Sequence, residues 1–461
     1  MKAKPSAAYE WLMVAIALGF VGSASFMPAL SAAAVPSRWV NGYEAVGQQL
    51  EKNLQEPSRR NPYRHAHPAP KYSGVYLWDS AFIALVWSHR DVSVAKDVIR
   101  SVLHNQRADG HVPHAVTIFS TSKLTQPPVL TWAAARIAHH ANDVAFASEI
   151  YAKLKRYNEW LFANRRLKTG LFFWEHAYES GIDNAPRFGA RDESYYIDTR
   201  GVESIDLSSY VVMDCEALAS LATMIASSTP AGLARDGYLR DEARFTTCAS
   251  EVGQLVRDRL WDETTGYFYD RTLSTGKFIA IPTIASVLPL TAGIASPEQA
   301  TRLMSHLMNP KQFNTPIPFP SVSRSSPHFE KDMWRGPVWI NTAYLAIQGM
   351  KRYGRASEAR EMSSRLVDGV YSAWHYTGKF VEFYDPEAYD FRALTRKKGL
   401  GPLGLSRSKD IRKILMHLIG KQIYLGTKPV SRFVGWTGLV NNLVIEDQLT
   451  PPPNAPPLRH K

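Results

Sequence analysis

Two kinds of helical periodicity alternate along this chain, and nothing else in the sequence constrains the fold as much. In one kind the apolar residues fall on a single stripe. Met362, Leu366 and Val370 recur every fourth residue, and Phe245, Cys248, Val252, Leu255 and Val256 share one face with polar residues opposite. In the other kind the segment is apolar nearly all round, as in Ala81-Phe-Ile-Ala-Leu-Val-Trp87 and in Tyr210-Val-Val-Met213 running on to Ala217-Leu-Ala-Ser-Leu221. A one-faced helix covers a core, whereas a helix apolar on every side must be surrounded. Alternation of the two from about residue 39 to 448 predicts two concentric layers of helices.

A weak repeat gives the layers a period. Thr169-Gly-Leu-Phe-Phe-Trp174-Glu175, Thr265-Gly-Tyr-Phe-Tyr-Asp270 and Thr377-Gly-Lys-Phe-Val-Glu382 each join Thr-Gly to an aromatic run and then a carboxylate. Their starts lie 96 and 112 residues apart. At about 1.5 Å per residue, such an interval holds roughly four helices with their loops. The Thr-Gly turns are expected on one rim, each leading a short extended strand toward the centre of a twelve-helix double ring.

The ends lie outside this fold. Lys2 and Lys4 precede an apolar run over 11–30, and Ser31-Ala-Ala-Ala34 offers small residues for cleavage, so 1–34 reads as a secretory signal. Glu10 and the length of the run keep an uncleaved N-terminal anchor open as the alternative. No later segment reads as long and apolar enough to span a bilayer. The expected location is the periplasm or the exterior, free or tethered at the N-terminus. The proline-rich segment 450–461 predicts a disordered tail.

The net charge of +12 suggests a nucleic-acid partner until its distribution is read. Eleven Lys and Arg fall between Arg392 and Arg432 against Asp410 alone, and the rest of the chain is nearly neutral. The basicity therefore belongs to an insertion over 392–432, and no nucleic-acid partner is expected for the body, 35–449. Within the insertion, Ile411-Arg-Lys-Ile-Leu-Met-His-Leu-Ile419 has the pattern of a basic amphipathic helix. The segment 409–421 is thus a candidate for weak contact with an anionic membrane surface, or else a solvated surface stretch.

Cys215 and Cys248, the only cysteines, are compatible with a disulfide and equally with buried free thiols. His65-Ala-His67 and His139-His140 lack an acidic partner at ligand spacing, so neither a metal nor a cofactor is expected.

Chemistry concentrates in short aromatic segments that Gly and Pro keep out of regular helix. Tyr178-Glu-Ser-Gly-Ile-Asp183-Asn-Ala-Pro-Arg187 and Phe380-Val-Glu382-Phe-Tyr-Asp385-Pro386 each hold carboxylates beside aromatic rings. Hydrolysis of a glycosidic bond requires such a pair: one acid protonates the leaving oxygen, and a second carboxylate activates a water or attacks the anomeric carbon. Trp78-Asp79 opens a buried helix, where Asp79 either caps the helix or grips sugar hydroxyls. Gln126-Pro-Pro128 lies at the entrance of the next apolar helix, near Leu130.

The densest constellation is Asp332-Met-Trp334-Arg335-Gly336-Pro337-Val-Trp339-Ile-Asn341. Gly336-Pro337 is expected to start a helix, exposing Trp334 and Arg335 and carrying Trp339 and Asn341 inside it. Arg335 clamps a carboxylate or sugar hydroxyls, or else pairs with Asp332 or Asp385.

Six motifs stand in a familiar order: Trp78-Asp79-Ser80-Ala81-Phe82, Gln106-Arg-Ala-Asp-Gly110, Gln126-Pro-Pro128, Ser180-Gly-Ile-Asp183-Asn184, Trp334-Arg-Gly-Pro-Val-Trp339 and Glu382-Phe-Tyr-Asp385-Pro386. In these, over 72–447, the chain resembles the inverting exo-glycosidases of glycoside hydrolase family 63. Related mannosylglycerate and glucosylglycerate hydrolases and, more distantly, trehalase belong to the same group. The resemblance implies an all-α (α/α)6 toroid, Asp183 as general acid and Glu382 as general base. Inversion further implies carboxyl groups roughly 6.5–9.5 Å apart, with the acid raised by a partly desolvated aromatic pocket. One region departs from the pattern. Relatives usually read Glu-Thr-Gly after the proline, whereas here Glu387-Ala-Tyr-Asp390 leads into the basic insertion, a candidate lid.

The expectation is an exported inverting α-glycosidase that removes a terminal glucosyl or mannosyl residue from a small glycoside or oligosaccharide. Trp78, Trp174, Trp334, Trp339 and Trp436 ring the expected sugar pocket. Asp79, Gln126, Arg335 and Asn341 read hydroxyls, Asn184 stands beside the acid, and Arg187 meets a charged aglycone such as glycerate. Two other readings share the architecture. A non-catalytic carbohydrate-binding or envelope protein is one. A sugar epimerase moving protons through His114 and His176 is the other, and it leaves the paired carboxylates without a role.

Overall fold

In the computed structural model, residues 35–189, 198–398 and 425–449 are described. The segments 1–34, 409–421 and 450–461 lie outside them, and so do the expectations placed there. Helices follow one another in pairs. After α1 (Ser37–Asn53) come α2 (Leu77–Ser88) with α3 (Val92–His104), α4 (Leu130–Ala141) with α5 (Val144–Asn164), and α6 (Ile205–Ser228) with α7 (Leu233–Leu260). Then follow α8 (Leu288–Thr291) with α9 (Pro297–Leu307), and α10 (Ile340–Arg352) with α11 (Ala356–Thr377). Finally α12 (Leu439–Leu443), prolonged by a π-turn over Val444–Leu449, packs against α1 and completes the sixth pair.

The first member of each pair forms the inner ring: α2 touches α4, α4 touches α6, and contacts run on through α8, α10 and α12 back to α2. Periodicity explains which helix goes where. All twelve residues of α2 are buried, as an all-round apolar helix requires. Outer helices bury one stripe: Met362, Leu366 and Val370 in α11, and Val94, Val98 and Val102 in α3. Asp91 and Asp143 start α3 and α5 by accepting hydrogen bonds from first-turn amides, so these outer helices are also capped locally. The expected all-α toroid with short ribbon-like rim loops is what forms.

The Thr-Gly turns fall on one rim. Gly170, Gly266 and Gly378 have φ of +90°, +71° and +68°, a backbone region that glycine enters without steric cost. Each follows an outer helix, and short bridges carry the chain inward from it, as between Arg166 and Phe172 or Trp261–Asp262 and Tyr267–Phe268. That rim holds the N-terminal ends of the inner helices.

Two expectations need correction. Gly336-Pro337 does not start a helix; α10 begins at Ile340, with Trp339 as its N-cap. Val338 and Tyr384 exchange two backbone hydrogen bonds of 2.9 Å, which holds this stretch extended against the Glu382 loop. The second concerns membrane spans. By length and composition α6 is apolar enough to cross a bilayer, although 67% of its most apolar stretch is packed inside the protein. It is a core helix carrying Asp206, Asp214 and Glu216.

Candidate active site

The Asp183 loop is built to a tight tolerance. Ala177–Ser180 forms a 3-10 turn that ends at Gly181, φ +72°. A Cβ there would lie 2.5 Å from the Trp78 ring, so both backbone and space demand glycine. Ser180 donates to the Ala177 carbonyl at 2.6 Å and accepts from the Ile182 amide at 3.2 Å, which aims the next residues inward. Asp183 follows, 8% exposed. Asn184 then clamps the loop to the turn at 333–335. Its amide donates to Asp332 at 3.1 Å, its side-chain oxygen accepts from the Trp334 amide at 3.0 Å, and its carbonyl accepts from Arg335 Nη1 at 3.2 Å.

The loop's other carboxylate, Glu179, is wholly buried and held by Arg165, at 2.7 and 3.0 Å, and by the Thr125 and Glu175 amides. Its role is structural. Arg187 is buried as well: it pairs with Asp206 and, at 2.6 Å, with Asp270, and stacks 4.2 Å from the Phe188 ring centre. Asp206 also accepts from the Trp174 indole at 2.9 Å. Arg187 and Trp174, expected at the aglycone and at the sugar, thus share a buried network behind the acid loop.

Glu382 is 3% exposed and almost saturated with donors. Oε1 lies 2.6 Å from Arg396 Nε and accepts from the Val430 amide at 3.1 Å, while Oε2 accepts from the Tyr72 hydroxyl at 3.0 Å. The Trp436 indole donates to the Glu382 carbonyl at 2.9 Å. Burial, reinforced by the Glu382 charge, pushes the Tyr72 phenol well up, so it stays a donor to the carboxylate. Arg396 Nη2 donates to that same phenol oxygen at 2.5 Å. A carboxylate offers about four acceptor sites. Two accept hydrogen bonds and Arg396 adds an ion pair at Oε1, which leaves capacity on Oε2 for one further donor. Asp385, three residues on, is taken up by Lys331 at 2.9 Å.

A continuous chain of contacts joins the two carboxylate loops. Asn184 bonds Asp332, Asp332 accepts from Thr395 Oγ1 at 2.7 Å, and the next residue, Arg396, faces Glu382. Four of the five expected tryptophans form a second link. Trp334 stacks on Trp339 with centroids 3.8 Å apart, Trp78 lies 6.0 Å from Trp334 and 5.5 Å from Trp436, and Trp339 lies 5.6 Å from Trp436.

All four are buried, contrary to the exposure expected of Trp334, because their faces are spent on one another. Arg335 is buried too, its Nε donating to Glu330 at 3.0 Å and its backbone amide to the Asp332 carbonyl at 2.9 Å. Gln126 accepts from the Trp78 amide at 3.3 Å, and Asp79 sits in the first turn of α2. Burial, then the Asp79 charge, pushes the Tyr76 phenol up to about 12. Asn341 is fully buried, with neither side-chain polar atom hydrogen-bonded among the described residues.

The half-buried aromatic wall is made of other residues. Tyr72, Tyr76, His114 and Tyr178 run edge to face with centroids 5.6–6.1 Å apart. His176 turns away from chemistry, its Nδ1 accepting from the Tyr178 amide at 3.0 Å. Sequence reasoning missed Tyr72 and Arg396 as site residues. Tyr72 showed only as part of a Tyr-rich loop, and Arg396 only as one of eleven charges.

The family described as the mannosylglycerate hydrolase MGH1-like glycoside hydrolase domain matches residues 72–394. A mannosylglycerate hydrolase of Thermus thermophilus is 28% identical over 382 residues, 68% of this chain and 89% of its own. A periplasmic trehalase of Pseudomonas aeruginosa is 26% identical over 369 residues, 70% of this chain and 65% of its own. Among solved structures, a GH63 mannosylglycerate hydrolase of Thermus thermophilus in complex with glucose has the same fold. It aligns at a TM-score of 0.65 and 24% identity over 76% of this chain and 95% of that one. The chain belongs to the mannosylglycerate hydrolase MGH1-like family and is an inverting glycoside hydrolase of the family 63 group on an (α/α)6 toroid.

Proposed function

We propose that this enzyme removes a terminal α-linked mannosyl or glucosyl residue from a small glycoside, with Asp183 as general acid and Glu382 as general base. The observation that carries the reading is the Glu382 environment. Arg396 pairs with one carboxylate, the Tyr72 hydroxyl and the Val430 amide donate to it, and acceptor capacity is left on Oε2 for a hydrolytic water. Asp183 approaches from the other loop, beside the glycosidic oxygen. Proton donation by Asp183 and water attack assisted by Glu382 then exchange the C–O bond with inversion.

Arg396 is a positioning residue in this scheme, and Tyr76, His114 and Tyr178 offer ring faces to a sugar. Relatives are named for mannosylglycerate and for trehalose, which supports the two sugars proposed and leaves the aglycone to experiment. Export to the periplasm is the reading that the signal-like 1–34 supports, and two relatives are named periplasmic trehalase.

The test is hydrolysis of α-mannosylglycerate, α-glucosylglycerate, trehalose and manno- and gluco-disaccharides, with product anomers followed by proton NMR. The expected product is the β-anomer, and Asp183→Asn and Glu382→Gln should each lower kcat by roughly 10²–10⁴-fold. Full activity in Glu382→Gln would remove Glu382 from its role. Sugar binding without turnover across the panel would favour a binding protein.

A further inference from the structure

The longest helical pair holds two sulfurs that the hydrolytic site does not use. Cys215 on α6 and Cys248 on α7 have their Sγ atoms 3.1 Å apart, and both are thiols. Their surroundings differ. Cys215 is wholly buried. The Asn158 amide nitrogen lies 3.5 Å from its sulfur and donates to the neighbouring Asp214 carboxylate at 2.7 Å. Cys248 is only half-buried and lines a surface hollow of about 450 Å3, together with Phe162, Arg166, Arg244 and Glu251.

We propose that Cys215 and Cys248 form a thiol–disulfide exchange site, in which Cys248 attacks an incoming disulfide from the hollow and Cys215 resolves it, stapling α6 to α7. The hollow gives a disulfide-bearing molecule access to Cys248 and denies it Cys215. Arg166, on the wall of the hollow, supplies positive charge where an attacking thiolate is needed. The Cys215 S–H, hydrogen-bonded to the Cys248 sulfur, draws that thiol below its ordinary value; Arg166 assists, while burial, Asp214 and Glu251 oppose the shift. The same bond, followed by burial, pushes Cys215 up. Closing from 3.1 Å to a bond of about 2.05 Å needs an approach of roughly 1 Å, within reach of side-chain rotation.

The exchange balances in two steps. The Cys248 thiolate attacks one sulfur of the incoming disulfide, whose S–S bond breaks and releases one thiolate, leaving a mixed disulfide on Cys248. Cys215 then gives its proton to the released thiolate and attacks the Cys248 sulfur. The mixed bond breaks and the second group leaves as a thiolate, which takes from solvent the proton that Cys248 gave up on ionising. The protein loses two electrons and the incoming disulfide becomes two thiols.

The asymmetry makes the test sharp, and it does not depend on glycosidase activity. The reduced full-length protein is incubated with oxidised glutathione, alkylated with iodoacetamide in denaturant so that a buried thiol also reacts, and weighed intact. The wild type is expected to end with both cysteines unalkylated and without glutathione, and to melt roughly 5 °C higher than its reduced form. Dithiothreitol should reverse both. Cys215→Ser is expected to retain one glutathione on Cys248, whereas Cys248→Ser should retain none. Cys215→Ala serves the same purpose if a hydroxyl is not tolerated in that apolar site. Two alkylated cysteines in the incubated wild type, or equal trapping by the two variants, would overturn the proposal.

Discussion

The loops that carry the two carboxylates are held by different means. Behind Asp183, the supports come from the core of the toroid. Arg187 sits between Asp206 at the start of α6 and Asp270 in the rim segment after Tyr267–Phe268, and Glu179 is locked by Arg165 at the end of α5. Around Glu382, the partners are rim elements from both ends of the chain: Tyr72 before α2, and Arg396 and the Val430 amide near the two ends of the basic insertion. The family match ends at residue 394, so Arg396 lies just past it and Val430 further on. The Asp183 loop and its supports thus lie within the match, whereas Glu382, also within it, is contacted by residues beyond its end. Changes behind Asp183 should threaten the fold, and changes around Glu382 should threaten the chemistry.

Substitution of Arg187 tests the first half. Arg187→Gln leaves Asp206 and Asp270 facing each other without a cation, and breaking a buried pair costs about 3–5 kcal/mol. We expect a large loss in denaturant midpoint, with activity lost as the fold is lost. A variant that stays stable and loses only KM for an anionic substrate would restore Arg187 to the aglycone site.

Arg396→Gln tests the second half. Tyr72 and the Val430 amide still hold Glu382, so stability should fall by about 1–3 kcal/mol. The anchored orientation is lost, however, and kcat should drop roughly 10–100-fold with little change in KM. Partial rescue of Arg396→Ala by added guanidinium salt, and not by sodium chloride, would separate positioning from packing. The smallest effect is expected for Tyr72→Phe, which removes one hydroxyl from the Glu382 carboxylate. We expect a loss of about 1 kcal/mol or less in stability and a fall in kcat below 10-fold, measured on the same substrate. If Tyr72→Phe outweighs Arg396→Gln, the base depends on the aromatic wall rather than on the insertion.

How far the site could be read ahead depended on the range of the interactions. The two carboxylate loops were legible, since Gly181 in one and Pro386 in the other interrupt regular helix. The tryptophan expectation was half right in content: Trp78, Trp334, Trp339 and Trp436 do gather, but they stack on one another and leave the open wall to Tyr72, Tyr76, His114 and Tyr178. An apolar side chain near a site reads the same in sequence whether its face meets a ligand or another ring. The basic insertion was legible as charge and not as function. Counting eleven cations could not single out Arg396, whose partner precedes it by fourteen residues while the phenol that completes the contact lies 324 residues away.

Sequence alone determined the double ring, the rim on which the loops gather and the turns that must be glycine. Helical period, capping and backbone conformation act over one to four residues, and a linear pattern records them. Tertiary structure alone decided the meaning of the charges. It sent Arg187 to a buried pair of aspartates, Arg335 to Glu330 and Arg396 to Glu382, and it set Cys215 against Cys248. A charge or a thiol acquires its role from whatever stands within a few ångströms of it, and that neighbour is chosen by the closure of the ring.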